Sequence, residues 1–195
     1  MMEQVKLPEP DMDGHVPLES CIAKRRSVRR YSGEPLTIAQ ISQLCWSAQG
    51  ITDRGSGHRA TPSAGATFPA EIFLVTPDGV FRYLPGPHAL ELVSDDDIRP
   101  GLCSACFGQG FVKQAPLNVI IGMVPPRTTG HYGARGDRYI VLEAGHIAQN
   151  LHLQAIALGL DSVAVGAYHD NAVAEAVGLP VDIEPVYIVT IGKAK

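Results

Sequence analysis

Between Asp137 and Gly159 the chain places Ile140, Ala144, Ile147, Ala148, Leu151, Ala155 and Leu158 at spacings of three and four. That period predicts a long helix, capped at Asp137 and stopped at Gly159. Apolar residues also occupy its other faces, so this helix needs cover from more than one side. At 195 residues the chain fits one domain, residues 1–195, with 1–17 as an arm whose prolines and acids need something to lie on, a partner chain included.

The segments around that helix alternate in type. Leu18–Lys24 reads as a short helix, and Thr37 with Gln40 forms a capping box ahead of Ile38, Ile41, Leu44, Cys45 and Ala48, a helix closed by Gly50. Residues 51–69 carry Gly55, Gly57, Pro62, Gly65 and Pro69 and read as a long irregular loop. Glu71–Thr76 and Val80–Tyr83 flank Pro77-Asp78-Gly79 and predict a hairpin. Segments 88–99 and 104–114 look helical, 118–123 reads as a strand and 125–136 as a loop. Ser162–Val165 is extended, Asn171–Val177 is a helix closed by Gly178, and Val186–Ile191 is a last strand before Gly192-Lys193. This order lacks the regular βαβ repeat of a doubly wound sheet; it predicts an α+β fold with a central sheet between helices.

Charge narrows the function. The net charge is −4, which argues against a nucleic-acid partner and favours a small molecule or a protein. No apolar run reaches the roughly 20 residues of a membrane span, and no signal pattern opens the chain, so the expectation is no membrane and a cytoplasmic location. The four cysteines then read as free thiols. Five of the 16 basic residues, Lys24, Arg25, Arg26, Arg29 and Arg30, fall within seven positions. Arg25, Arg26 and Ser27 could seat a monophosphate through guanidinium forks and a hydroxyl, and a solvated helix end is the alternative. After Arg138 no cation recurs until Lys193, which follows a strand and a glycine and could point at the same anion.

Arg25-Arg26-Ser27-Val28-Arg29, Pro62-Ser63-Ala64-Gly65, Glu143-Ala144-Gly145-His146 to Gln149-Asn150-Leu151, Val165-Gly166 and Gly192-Lys193, in that order, resemble the FMN-dependent nitroreductase superfamily, nearest to its SagB-type dehydrogenase branch. The resemblance spans about residues 18–195. It implies a nitroreductase-like fold, a central mixed or antiparallel sheet flanked by helices in an intertwined homodimer, with active sites at the interface. It assigns the FMN phosphate to Arg25, Arg26, Ser27 and Lys193, and the flavin N1/O2 edge to Arg29, where a cation stabilises charge on the reduced ring. Pro62, Ser63, Ala64 and Gly65 would come from the other subunit to lie along the flavin, with Val165 and Gly166 near N5. Pro62, Gly65, Gly166 and Gly192 would then be small because backbone lies against a flat cofactor.

The resemblance implies NADH or NADPH as donor and an electron-poor small-molecule acceptor (nitroaromatic, quinone or enone) in a ping-pong cycle. Its alternatives are a flavin-binding protein without turnover, serving storage, sensing or flavin destruction, and an azoline dehydrogenase. Azoline dehydrogenases carry a Lys-Tyr pair where this chain has His131-Tyr132; His131 could still act as general base there, with exposed loop residues as the bland alternative. Cys103 and Cys106 have the spacing of redox and zinc motifs without a second pair, and Glu143 with His146 is a single Glu-x-x-His, so neither predicts a metal site.

Overall fold

The computed structural model describes residues 4–195. Its centre is a seven-stranded sheet in the order β1-β6-β5-β4-β7-β9-β8. The strands are β1 (Gln4–Lys6), β4 (Ala70–Thr76), β5 (Gly79–Leu84), β6 (Ala89–Ser94), β7 (Leu117–Met123), β8 (Asp161–Val165) and β9 (Glu184–Gly192); β2 (Ile51–Asp53) and β3 (His58–Arg59) form a separate small hairpin. Every pairing in the large sheet is antiparallel, so the mixed-or-antiparallel expectation resolves to antiparallel, with one isolated parallel bridge from Ser27 to Ser162.

Period-two alternation divides the core. Ile72 and Leu74 of β4, Val119 and Ile121 of β7, and Val189 and Ile191 of β9 point to one face, where Leu44 and Ala48 of α2 (Ile38–Gln49) meet Ala144, Ile147 and Leu151 of α6 (Arg135–Ala157). Phe73, Val75, Ile120 and Ile188 point to the other face, against Leu102 of α3 (Arg99–Ala105), Val112 of α4 (Gly110–Gln114) and Val173 of α7 (Asp170–Val177). A sheet covered on both faces buries its central strands at every position, and all seven residues of β7 are buried, the one polar side chain, Asn118, donating to the Val112 carbonyl at 3.1 Å. The long helix is therefore one wall of the molecule, covered by the sheet and α2.

Several local readings yield to tertiary context. Residues 88–99 are not a helix: Ala89–Ser94 is β6, paired with β5 on one side and β1 on the other. Burial of Ala89 and Leu90 against the sheet outweighs the helical spacing of this short segment. The 104–114 helix is split into α3 and α4, because Phe107 and Gly108 adopt φ of 54° and 71°. Residues 125–132 are helical (α5, Pro125–Tyr132), with prolines in the first turn, where a missing N–H costs nothing. The residue before α6 is Ala134, and Asp137 sits inside its first turn. Part of the arm is anchored on its own chain. Leu7 is buried, Asp11 N–H donates to Gln43 Oε1 at 2.8 Å, and Gln43 Nε2 donates to the Asp11 carbonyl at 3.0 Å; residues 1–3 of the arm lie outside the described residues.

Candidate active site

Helix α1 (Leu18–Lys24) ends where Arg25 turns the chain with φ −51° and ψ 121°. The following residues run beside β8, with Val28 N–H donating to the Ser162 carbonyl at 3.1 Å. In an extended segment alternate residues share a side. Arg25, Ser27 and Arg29 accordingly line one cleft, facing Gly145, Ala148, Gln149 and His152 of α6, Val163 and Ala164 of β8, and Tyr187 of β9. Arg26 falls on the other side: its Nη1 donates to the carbonyls of Ala23 at 3.0 Å and Arg25 at 2.7 Å, at the C-terminal end of α1. The arginine pair implied by the resemblance is thus split, and the cations of the cleft are Arg25 and Arg29.

The remaining expected residues spread out. Lys193 Nζ lies 3.1 Å from Glu34 Oε2 on the surface, outside the cleft lining. Gly192 is explained by protein packing, since a Cβ there would fall 2.6 Å from Pro116 Cδ and 3.0 Å from Tyr31 Cδ1. Val165 is buried opposite Ile188, whereas Gly166 is exposed with the Tyr187 ring 3.6 Å from its Cβ position.

A second assembly gathers the Pro62–Gly65 loop, α5 and α6. Gly65 has φ 59°, and a Cβ there would sit 2.6 Å from Tyr132 Oη, so a larger residue would displace the Tyr132 ring and strain the backbone. The Tyr132 ring meets His131 edge-on at 4.5 Å and Tyr139 at 5.0 Å. Thr67 and Thr128 share a 2.8 Å hydroxyl hydrogen bond, and Arg127 donates to the Phe68 carbonyl at 3.0 Å. On α6 Glu143 is 3% exposed, with Oε1 lacking a hydrogen-bond partner. Burial pushes its carboxyl up to about 7, opposed by the Ser63 hydroxyl and the Arg59 charge. None of Pro62, Ser63, Ala64, Gly65, His131 or Tyr132 lines the arginine cleft. Within one protomer, the expected site residues form two separate groups along α6.

Reading the sequence for charge and motifs missed His152. It is 8% exposed, its Nδ1 is 2.7 Å from Ser162 Oγ, and burial with the nearby Arg25 charge pulls its pKa down to about 4. The signal was present: Gly145, Ala148, Gln149 and His152 repeat at three and four residues, a small-and-polar stripe beside the apolar one. The Cys103-x-x-Cys106 pair sits in α3 and just after it. Burial pushes Cys106 up to about 11, which disfavours its thiolate.

The cleft offers donors to an anionic ligand. Two guanidinium groups and a hydroxyl stand at one wall, and Gly145 and Ala148 keep the α6 wall low; a Cβ on Gly145 would meet nothing within 4 Å. The nitroreductase family profile matches residues 22–193. A nitroreductase-family protein of Methanocaldococcus jannaschii is 38% identical over 199 residues, 99% of this chain and 98% of its own length. The microcin B17-processing protein McbC of Escherichia coli is 29% identical over 155 residues, which span 74% of this chain and 57% of McbC. A solved structure of a nitroreductase-family protein from Ralstonia eutropha superimposes with TM-score 0.90 at 32% identity, covering 98% of this chain and 90% of that one.

Proposed function

From the premise that this chain belongs to the nitroreductase family, we propose that it is an FMN-dependent oxidoreductase that takes electrons from NADH or NADPH and passes them to an electron-poor acceptor of nitroaromatic, quinone or enone type. The observation that carries this reading is the cleft in which Arg25, Ser27 and Arg29 face the low wall of Gly145 and Ala148. Arg25 and Ser27 would hold the phosphate, and Arg29 would keep a cation beside the ring system. FMN, when bound, supplies acceptance and donation of a hydride. The protein's contribution is a fixed charge that favours the reduced ring, and a pocket that donor and acceptor enter in turn. Anaerobic titration of FMN-loaded protein with NADH and with NADPH is expected to bleach the flavin absorbance, and a nitroaromatic or quinone to restore it. Loaded protein that neither nucleotide reduces would leave flavin binding without turnover.

The functional unit in this reading is a homodimer. The Pro62–Gly65 loop and the arginine cleft occupy separate places in one protomer, as expected if each site takes the loop from a second copy. Val141 and Leu142 on α6, and Leu18 and Ile22 on α1, are large apolar side chains exposed in one protomer, which a second copy would cover. Leu142→Arg is expected to convert a dimer to a monomer by sedimentation and to lower FMN retention with it; a variant that stays dimeric places the interface elsewhere.

The likeness to McbC favours one second reading, oxidation of a peptide azoline at the same cleft, with His131 or Tyr132 taking the ring proton as a hydride leaves to the flavin. A 2 Da mass loss from an azoline peptide on incubation with the FMN-loaded protein, absent in Tyr132→Phe, would select it.

A further inference from the structure

We infer that His152 is a further binding residue of the arginine cleft, presenting its Nε2–H to an anionic oxygen of the ligand, with Ser162 as the positioning residue that fixes this tautomer. The ligand class is a phosphate monoester. Naming FMN as the source of that phosphate rests on the proposed function, whereas the state of the imidazole does not.

Ser162 of β8 serves two elements at once. Its carbonyl accepts from Val28 N–H at 3.1 Å, and its parallel bridge to Ser27 sets that residue alongside it. Its hydroxyl, on a residue 1% exposed, lies 2.7 Å from His152 Nδ1 and has no other partner among the described residues. A hydroxyl has one hydrogen to place, and a buried one places it on an acceptor. Here the available acceptor is Nδ1, so the ring of a neutral His152 carries its own hydrogen on Nε2. Burial and the Arg25 charge hold the ring neutral, pulling its pKa down to about 4. The other tautomer would strand the Ser162 hydrogen in the interior without an acceptor.

The Nε2 end is open. It makes no hydrogen bond within the described chain, yet the sealed polar atoms without a partner are Gln49 Nε2, Asn118 Oδ1 and Glu143 Oε1, and His152 Nε2 is not among them. The space it reaches is the cleft that His152 lines together with Arg25, Ser27 and Arg29. Among the described residues no carboxylate lines that cleft, so its polar wall meets an anion with two guanidinium groups, a hydroxyl and an imidazole N–H. The imidazole differs from the arginines in being locked. Held by Ser162 and buried on α6, it loses little freedom when a ligand arrives, and it fixes the direction of one oxygen without adding a third charge.

Nitrogen NMR of the histidine-labelled full chain without FMN, at neutral pH, is expected to show His152 with a protonated Nε2 and an unprotonated Nδ1. Ser162→Ala is expected to let the two tautomers exchange, a change that loss of packing alone would not produce. Inorganic phosphate added to the wild type is expected to shift the Nε2 resonance. FMN and riboflavin differ by the phosphate alone, so their affinities separate this contact from general packing. Combining His152→Leu with Ser162→Ala removes both hydrogen-bonding partners together and orphans no buried hydroxyl. The double variant is expected to weaken FMN binding about 2- to 13-fold, the range of one neutral hydrogen bond, and to leave riboflavin binding unchanged. An unprotonated Nε2 in the wild type, or one that phosphate leaves unshifted, overturns the contact. Equal losses for FMN and riboflavin, or no loss for FMN, overturn it as well. A single unchanged tautomer in Ser162→Ala overturns the positioning role of Ser162. Should the double variant fail to fold, the measurements on the wild type decide the contact. Should FMN fail to bind the wild type, the flavin reading falls, and the response of Nε2 to inorganic phosphate still decides the anion contact.

Discussion

Arg25→Ala is expected to weaken FMN binding by about 10- to 150-fold, and Arg26→Ala by no more than about twofold. Charge-assisted hydrogen bonds are worth about 1.5–3 kcal/mol each, which converts to that range for Arg25. The two residues are adjacent, chemically identical and assigned the same role by family resemblance. They differ in where the backbone turn at the end of α1 sends them. Arg25 lines the cleft with Ser27 and Arg29, while Arg26 is tied to the carbonyls of Ala23 and Arg25. Its loss should instead fray the last turn of α1, since a cation satisfying terminal carbonyls is stabilising there. Arg25→Lys is expected to recover only part of the affinity, because a lysine cannot present two parallel donors to a phosphate. Titration of FMN into each apo variant, followed by quenching of flavin fluorescence, makes the comparison. Equal losses at both positions would mean that Arg26 swings into the cleft on binding, and no loss at Arg25 would move the phosphate seat away from it.

The sequence carried the fold wherever one element's pattern agreed with its surroundings. The capping box at Thr37 and Gln40, the stop at Gly178 and the long stripe from Ile140 to Ala155 each stand as read. It misled where a segment's partner decides its state. Residues 89–94 have helical spacing, and become strand because β5 and β1 offer them hydrogen bonds on both edges. Such pairing is non-local and leaves no trace in a short window. The site divides the same way. Clustered cations at 24–30 were visible as composition, but which of them share a side depends on the extended geometry after Arg25, set by the bridge to Ser162. The Glu143 carboxyl was visible only as half of a metal motif. Its significance is its burial without a hydrogen-bond partner for Oε1, and burial depends on tertiary packing that a local motif does not show.

Glu143 and His152 lie on one helix and are expected to make opposite contributions to the pH dependence of stability. His152 titrates near 6.5 when solvated and about 4 in the folded chain. Between those values the unfolded chain binds a proton that the folded chain refuses. The stability this group contributes is complete above about 6.5 and is lost as pH falls toward 4. Glu143 moves the other way, from 4.5 to about 7, so the folded chain keeps a proton that the unfolded chain has released. Its contribution is complete below about 4.5 and is lost as pH rises through 7. Shifts of this size correspond to about 3 kcal/mol each, and the two slopes cancel over most of the shared window. Urea denaturation of FMN-free protein, at one protein concentration and at pH 4.5, 5.5, 6.5 and 7.5, should expose them separately. Glu143→Gln removes the falling slope and is expected to gain about 3 kcal/mol of stability between the two ends of the series. His152→Gln, which keeps a partner for the Ser162 hydroxyl, removes the rising slope and is expected to lose a similar amount. Slopes of the same sign in the two variants would mean that one of these groups is solvated in the folded chain. Because His152 lines the arginine cleft whereas Glu143 does not, the variant with the wrong sign would also show which side of α6 is open to water.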